Sequence, residues 1–230
     1  MTANSFNMEK YIDDYSKIQS YRELNLFMTN AIQKRLPSPL YGFDDESDNT
    51  DNYWWNPDDP RYRLLVRINQ LGIITLGAEE GILEGEDLLV HYKDTDVIGV
   101  NSRCSLTFIC PNSYVDHIKR WFSKYIVITS DAKRLLGKEE CRPRCLIVNK
   151  DASVKEISWF WFHREDQTNL YSKEWDTLTL FDPLDPNVAA KIKSEVTSFD
   201  IIDPVWNRIA YGRDGIFTQI VQCLEAIDRP

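Results

Sequence analysis

The chain has 230 residues, enough for one large domain with a substantial buried core. Its 43% hydrophobic and 12% aromatic content, against 27% charged residues, excludes a disordered chain. A net charge of −9 argues against a surface that coats nucleic acid, because the phosphate backbone rewards the opposite sign.

The N-terminal stretch MTANSFNMEKYIDDYSK has no basic region followed by an apolar run. No window approaches the roughly 18 apolar residues of a membrane span. These features predict a soluble, cytoplasmic protein with no membrane association. A helical region covers about 8 to 36 and breaks near Ser20, where Ser20-Tyr21-Arg22-Glu23 has the S-x-x-E form of a capping box. Leu24, Phe27, Met28 and Ala31 then recur at helical spacing until Pro37.

Residues 37 to 60 carry seven acidic side chains and no Lys or Arg, with Tyr53, Trp54 and Trp55 near the end. A calcium loop fails on spacing. Counted from Asp44, the sixth position is Asn49, where the turn wants glycine, and the twelfth is Trp55, where a glutamate belongs. A solvated acidic loop fits better. Its aromatic residues either pin it to the core or await a partner, and Tyr53, Trp54 and Trp55 are therefore the candidate binding residues. The segment separates an N-terminal region (1–59) from a main domain (60–230).

Asp59 as N-cap and Pro60 at the first helical position open a helix with Leu64, Leu65, Ile68 and Leu71 on one face, and Gly72 closes it. Strands are predicted near 73–76, 88–92, 97–100, 104–110, 126–129, 145–149, 156–162 and 175–181, with a helix at 113–124 that turns Val115, Ile118 and Phe122 inward. The 156–162 stretch carries large aromatics on both faces. Asp185-Pro186 and Asp203-Pro204 repeat the cap pairing and predict helices at 186–198 and 204–211, ahead of a last amphipathic helix through Ile216, Phe217, Ile220, Val221, Leu224 and Ile227. Strands in the middle and helices at both ends predict an α+β fold. A central mixed or antiparallel sheet carries N-terminal and C-terminal helices packed on it.

Chemistry-bearing motifs are few. Gly77 and Gly81 follow a strand, but Glu79, Glu80, Glu84, Glu86 and Asp87 crowd the place a phosphate would take, so a nucleotide cradle is excluded. His91, His117 and His163 lack any H-x-x-H or H-E-x-x-H spacing, and no G-x-S-x-G elbow is present. Cys104, Cys110, Cys141, Cys145 and Cys223 are odd in number, which favours reduced thiols. Cys141 and Cys145 have a zinc-compatible spacing, and Cys104 with Cys110 would complete four ligands. Those two read as one strand face, however, and no metal or cofactor is expected.

Asn69, Gly72, Thr75, Glu79 and Gly81 follow the order N-x-x-G, an apolar pair, Thr, two residues, then a four-residue end. Ser102, Arg103 and Phe108 form a second short cluster. The pattern resembles an uncharacterised family of large-DNA-virus proteins with bacterial relatives, in which the first motif ends in Ser-Gln-x-Gly and the second begins Gln-Arg. Ala78-Glu79 and Ser102 depart from it, so a polar site built by the relatives is altered or absent here. The resemblance implies a viral origin, in host cytoplasm or virion, more than a mechanism.

The leading expectation is a non-catalytic protein that binds another protein or plays a structural role. The alternatives are an enzyme with a polar pocket of Thr75, Glu79 and Arg103, and a nucleic-acid binder using Lys119, Arg120, Lys124, Lys133, Arg134, Arg142 and Arg144.

Overall fold

The computed structural model describes residues 7–34, 36, 57–79, 97–102, 104–131, 145–149, 154–157, 180–205 and 208–227. In chain order these form α1 (Met8–Ser16), α2 (Tyr21–Lys34), α3 (Pro60–Gln70), β1 (Ile74–Glu79), β2 (Val97–Ser102), β3 (Ser105–Pro111), a 3-10 turn (Asn112–Tyr114), α4 (Val115–Trp121), β4 (Ile126–Asp131), β5 (Cys145–Asn149), β6 (Val154–Ile157), α5 (Pro186–Glu195), β7 (Val196–Ile202) and α6 (Ile216–Ile227). The fold is α+β with antiparallel sheets. One is four-stranded in the order β1-β3-β7-β4, and the other three-stranded in the order β2-β5-β6.

Local signals place the helices. The break after α1 is closed by the expected box: Ser20 Oγ accepts the N–H of Glu23 at 3.3 Å, while the Glu23 carboxylate reaches back to the N–H of Gln19 at 2.7 Å. Asp59 caps α3 by accepting the N–H of Arg61 at 2.8 Å, and Gly72 ends the turn at φ +95, a conformation glycine adopts without a Cβ penalty. A Cβ there would also lie 3.2 Å from the Tyr114 hydroxyl.

The four-stranded sheet separates two cores. On one face Leu106, Phe108, Cys110, Phe199 and Ile201 meet Ile68, Leu71, Ile118, Phe122 and the buried face of α6. Phe108 and Phe199 are cross-strand neighbours, with rings parallel and centroids 5.3 Å apart. On the other face Ile74, Ile109 and Val196 meet Tyr15, Ile18, Tyr21, Leu24 and Met28 of the N-terminal helices, together with Ala189 and Ile192 of α5. Helices from both ends of the chain are thus packed on the sheet. Among the described residues no helix is long and apolar enough to cross a membrane.

Two expectations are corrected at the C-terminal third. The helix predicted over 186–198 ends at Glu195, and Val196–Ile202 is a strand paired on both edges, with β3 and with β4. Val196 lies on the extension of the apolar stripe of α5, so helical periodicity reads through the boundary. Burial on both faces then decides for the strand, since β-branched and aromatic residues fill it. Nor are the described residues of 204–211 helical: Pro204 and Val205 form a bend, Arg208 and Ile209 have no regular structure, and Ala210 and Tyr211 form a turn. Asp203 does accept an N–H, that of Val205 at 2.8 Å, but the bond closes a local turn. The expected strand at 88–92, the aromatic residues 158–162 and the acidic loop through residue 56 lie outside the described residues. Of the 175–181 strand, Leu180 and Phe181 are described, and they are buried in a turn.

Phe199 has no exposed surface and stacks on Phe108 at the centre of the sheet. Phe199→Ala should therefore cost about 3–5 kcal/mol in equilibrium unfolding, through lost burial and a cavity that a doubly paired strand cannot close. A cost below about 1 kcal/mol would place this residue outside the core.

Candidate functional site: a basic, aromatic cleft at the end of the central strand

The residues that carried the sequence motif build a turn. Asn69 is fully buried, and its side-chain amide donates to the Leu65 carbonyl at 2.8 Å and to Thr75 Oγ1 at 3.0 Å, while its Oδ1 accepts the N–H of Thr75 at 3.1 Å. Tyr21 of α2 donates to the carbonyls of Gly72 and Ile109, both at 3.0 Å. Asn25 donates to the carbonyls of Asn69 and Ile73 at 3.0 and 2.9 Å. The N-x-x-G-x-x-T arrangement thus satisfies the polar groups of the α3–β1 connection and gives α2 its anchoring points.

Thr75 and Glu79 stand near opposite ends of β1, about 13 Å apart at the rise of an extended strand. Glu79 pairs with Ser105 through the backbone, and a register shift separates Thr75 from Gly77. Ala78 packs on the first core, and Ser102 ends β2. Arg103, Tyr53, Trp54 and Trp55 lie outside the described residues, as do Lys133, Arg134, Arg142, Arg144, His91, His163 and Cys141. Lys119 and Arg120 are exposed near the end of α4.

The described residues instead assemble a cleft of about 910 Å³ where α4 ends, β7 leaves the sheet and α6 begins. That volume lies within the range of about 300–1,000 Å³ typical of ligand sites. Its described lining comes from 121–125, from Pro204 and Val205, and from 208–219, and the end of β7 holds these together. Asp203, next after β7, donates its N–H to the Cys104 carbonyl at 2.9 Å and has no exposed surface. Its carboxylate stands 3.4 Å from Nη1 of Arg208, whose side chain is 29% exposed and lines the cleft. Nη1 of Arg208 also donates to the Asp214 carbonyl at 3.2 Å and to the Tyr125 hydroxyl at 3.4 Å, and that hydroxyl in turn donates to the Asp214 carbonyl at 3.3 Å. The guanidinium is therefore held by several partners and leaves its exposed edge for a ligand.

The aromatic wall is fixed in the same way. Trp121 Nε1 donates to Gln219 Oε1 at 3.4 Å, and the Gln219 amide donates to the Arg213 carbonyl at 3.2 Å. The floor is rigid at Gly215, where a Cβ would come within 2.3 Å of the carbonyl oxygens of Ile209 and Ala210. Only glycine lets α6 start that close to the preceding turn. Lys124, Arg208 and Arg213 outnumber Asp214 among the lining residues.

The nearby thiols are not nucleophiles. Burial, aided by the Asp203 carboxylate, pushes the Cys104 thiol up to about 12, and burial pushes Cys110 and Cys223 equally high. Cys104 donates to the Arg208 carbonyl at 2.7 Å, a structural bond that ties β3 to the cleft. Cys104 immediately precedes β3 and Cys110 stands near its other end, and among the described residues no cluster of His, Cys, Asp and Glu is arranged to hold a metal.

No protein-family model and no curated protein matches this chain.

Sequence reasoning did not find the cleft. One signal was present: Trp121 falls off the inward stripe of Val115, Ile118 and Phe122, which leaves a tryptophan 39% exposed on α4. His117 stacks on Trp121 from the preceding turn, but its hydrogen-bond partner Gln219 comes from about a hundred residues later.

Two outcomes follow from the site's construction. Asn69→Ala should cost about 1–3 kcal/mol, by leaving the part-buried Thr75 amide without its acceptor, and a neutral effect in chemical denaturation would contradict the clamp. In native alkylation read by mass spectrometry near neutral pH, Cys104, Cys110 and Cys223 should stay unlabelled until the protein unfolds. Labelling of Cys104 at the rate of a free thiol would contradict its burial.

Proposed function

We propose that this is a non-catalytic binding protein and that the cleft is its protein-recognition surface. The observation that carries the reading is where exposed apolar surface gathers. Among the described residues the exposed large hydrophobics are Leu26, Trp121, Val205, Ile209 and Tyr211. Three of these five line the cleft, and Tyr211 adjoins Gly212 of its lining. Ile209 is 50% exposed and Val205 44%. Apolar side chains gathered in one concavity among arginines, with a tryptophan and a tyrosine beside them, match the composition of protein interface hot spots.

The chemistry of the lining favours recognition over reaction. Its polar side chains are three cations, an amide, a phenol, a hydroxyl and one carboxylate, and those of Arg208, Tyr125 and Gln219 are already held in hydrogen bonds that fix their direction. The resemblance of the Asn69–Gly81 motif to that of large-DNA-virus proteins, apart from Ala78-Glu79, is what supports a viral origin. In that setting the protein serves as a structural or host-directed component, in host cytoplasm or in the virion.

The test compares proteins retained from an extract of the producing cells by the wild-type chain, by Ile209→Glu and by Leu26→Glu. Both substitutions are at exposed positions and should shift the melting temperature by only a few degrees. Proteins held by the wild type should be lost with Ile209→Glu and kept with Leu26→Glu. Equal retention by all three would remove the cleft as the recognition surface.

A further inference from the structure

Resting on the protein-binding reading, we propose that the cleft docks an acidic, ring-bearing segment of its partner, with carboxylates on Arg208, Arg213 and Lys124 and the ring against Trp121.

Charge carries the first half of this inference. The whole chain is at −9, yet the cleft lining holds three cations and one carboxylate. Asp203 beneath Arg208 offsets one cation, and Lys124 with Arg213 still outnumber Asp214. At physiological ionic strength the screening length is about 8 Å, so these local cations govern an approaching segment more than the distant acidic residues do. Arg208 is better suited to a carboxylate than a freely rotating side chain. Its Nη1 is held by hydrogen bonds to Tyr125 and the Asp214 carbonyl, beside the Asp203 carboxylate, before any ligand arrives, which lowers the entropy lost on forming a forked bond.

Shape and polarity carry the second half. Val205, Ile209 and Pro204 have nothing to offer phosphate or sugar, and they need apolar side chains to cover them. Trp121 is 39% exposed, with its Nε1–H held by Gln219 and the His117 ring stacked at 6.1 Å, and the surface it still exposes can take an offset or edge contact with a second ring. A polyanion without apolar side chains meets only the cations. A peptide that alternates carboxylates with a ring meets both.

The probe is a fluorescein-labelled copolymer of glutamate and tyrosine, titrated into the full chain and read by anisotropy. Polyglutamate, a lysine–tyrosine copolymer and a DNA duplex serve as comparisons. The glutamate–tyrosine copolymer should bind at least about tenfold more tightly than each of them. Arg213→Glu and Trp121→Ala should each weaken it by on the order of tenfold, and Arg208→Lys should do the same by losing the forked geometry. Should Arg208→Lys fail to fold, Arg213→Glu stands in for it, because Arg213 is exposed and its side chain is not part of the support.

Equal affinity for polyglutamate would overturn the ring contact, and equal affinity for DNA would overturn the peptide assignment. No difference between wild type and Arg213→Glu would overturn the charge pairing. If the copolymer fails while partner proteins are still lost on Ile209→Glu, the acidic chemistry falls and the protein-binding reading stands. If Ile209→Glu loses nothing, both fall.

Discussion

Everything described here hangs on one constraint: Val196–Ile202 must be a strand hydrogen-bonded on both edges and buried on both faces. β3 and β4 take its two edges. Phe199 and Ile201 face the core built with α3, α4 and α6, and Val196 faces the core built with the N-terminal helices. A strand in that position has no solvent face, so its sequence is apolar apart from small or hydrogen-bonded polar groups. Asp200, only 4% exposed, shows how this is met: its carboxylate accepts from Thr107 Oγ1 of the neighbouring strand at 3.2 Å.

The same strand sets the site. Where it leaves the sheet, Asp203 is already too deep for water and needs a cation nearby, and Arg208 returns five residues later to stand beside it. Burial of a carboxylate with a partly exposed guanidinium is a modest stabilising interaction at best, because desolvation opposes the Coulomb attraction. Its value lies in direction. The pair, together with Tyr125 and the Asp214 carbonyl, turns a flexible cation into a fixed donor at the floor of a cleft. Gly215 and Gln219 then bring the start of α6 and Trp121 to the same place. Fold and site are coupled at a single residue step, from Ile202 to Asp203.

The parts of this architecture that were legible in the sequence are those specified within a few residues. Asp59-Pro60 and Gly72 delimit α3, Ser20 and Glu23 mark the break before α2, and the apolar stripes of α4 and α6 predict their buried faces. The central strand was not legible, because Val196 continues the Val188, Ala189, Ile192 stripe and no turn residue separates helix from strand. Pairing with β3, some ninety residues earlier, decides it, and no local window contains that information. Thr75 drew attention with Glu79 and Arg103 as a polar pocket, and Asn69 as part of the motif, whereas Asn69 and Thr75 are bonded to each other within the α3–β1 connection. The cleft was invisible for the opposite reason, since Trp121 and Tyr125 meet Arg208 and Gln219 only after both segments dock on the sheet.

The central claim is that the end of β7 fixes Arg208 before any partner binds. Rotation about the Cζ–Nε bond of arginine can be followed by NMR on a protein with labelled arginine side chains, and Arg213, exposed at the same cleft, supplies an internal reference. In the free protein Arg208 should rotate on the order of tenfold or more slowly than Arg213, and Asp203→Asn should narrow that difference while the bonds to Tyr125 and the Asp214 carbonyl keep some of it. Equal rates in the wild-type protein would contradict the account, because Arg208 would then be one more solvated cation and the cleft would have no fixed donor.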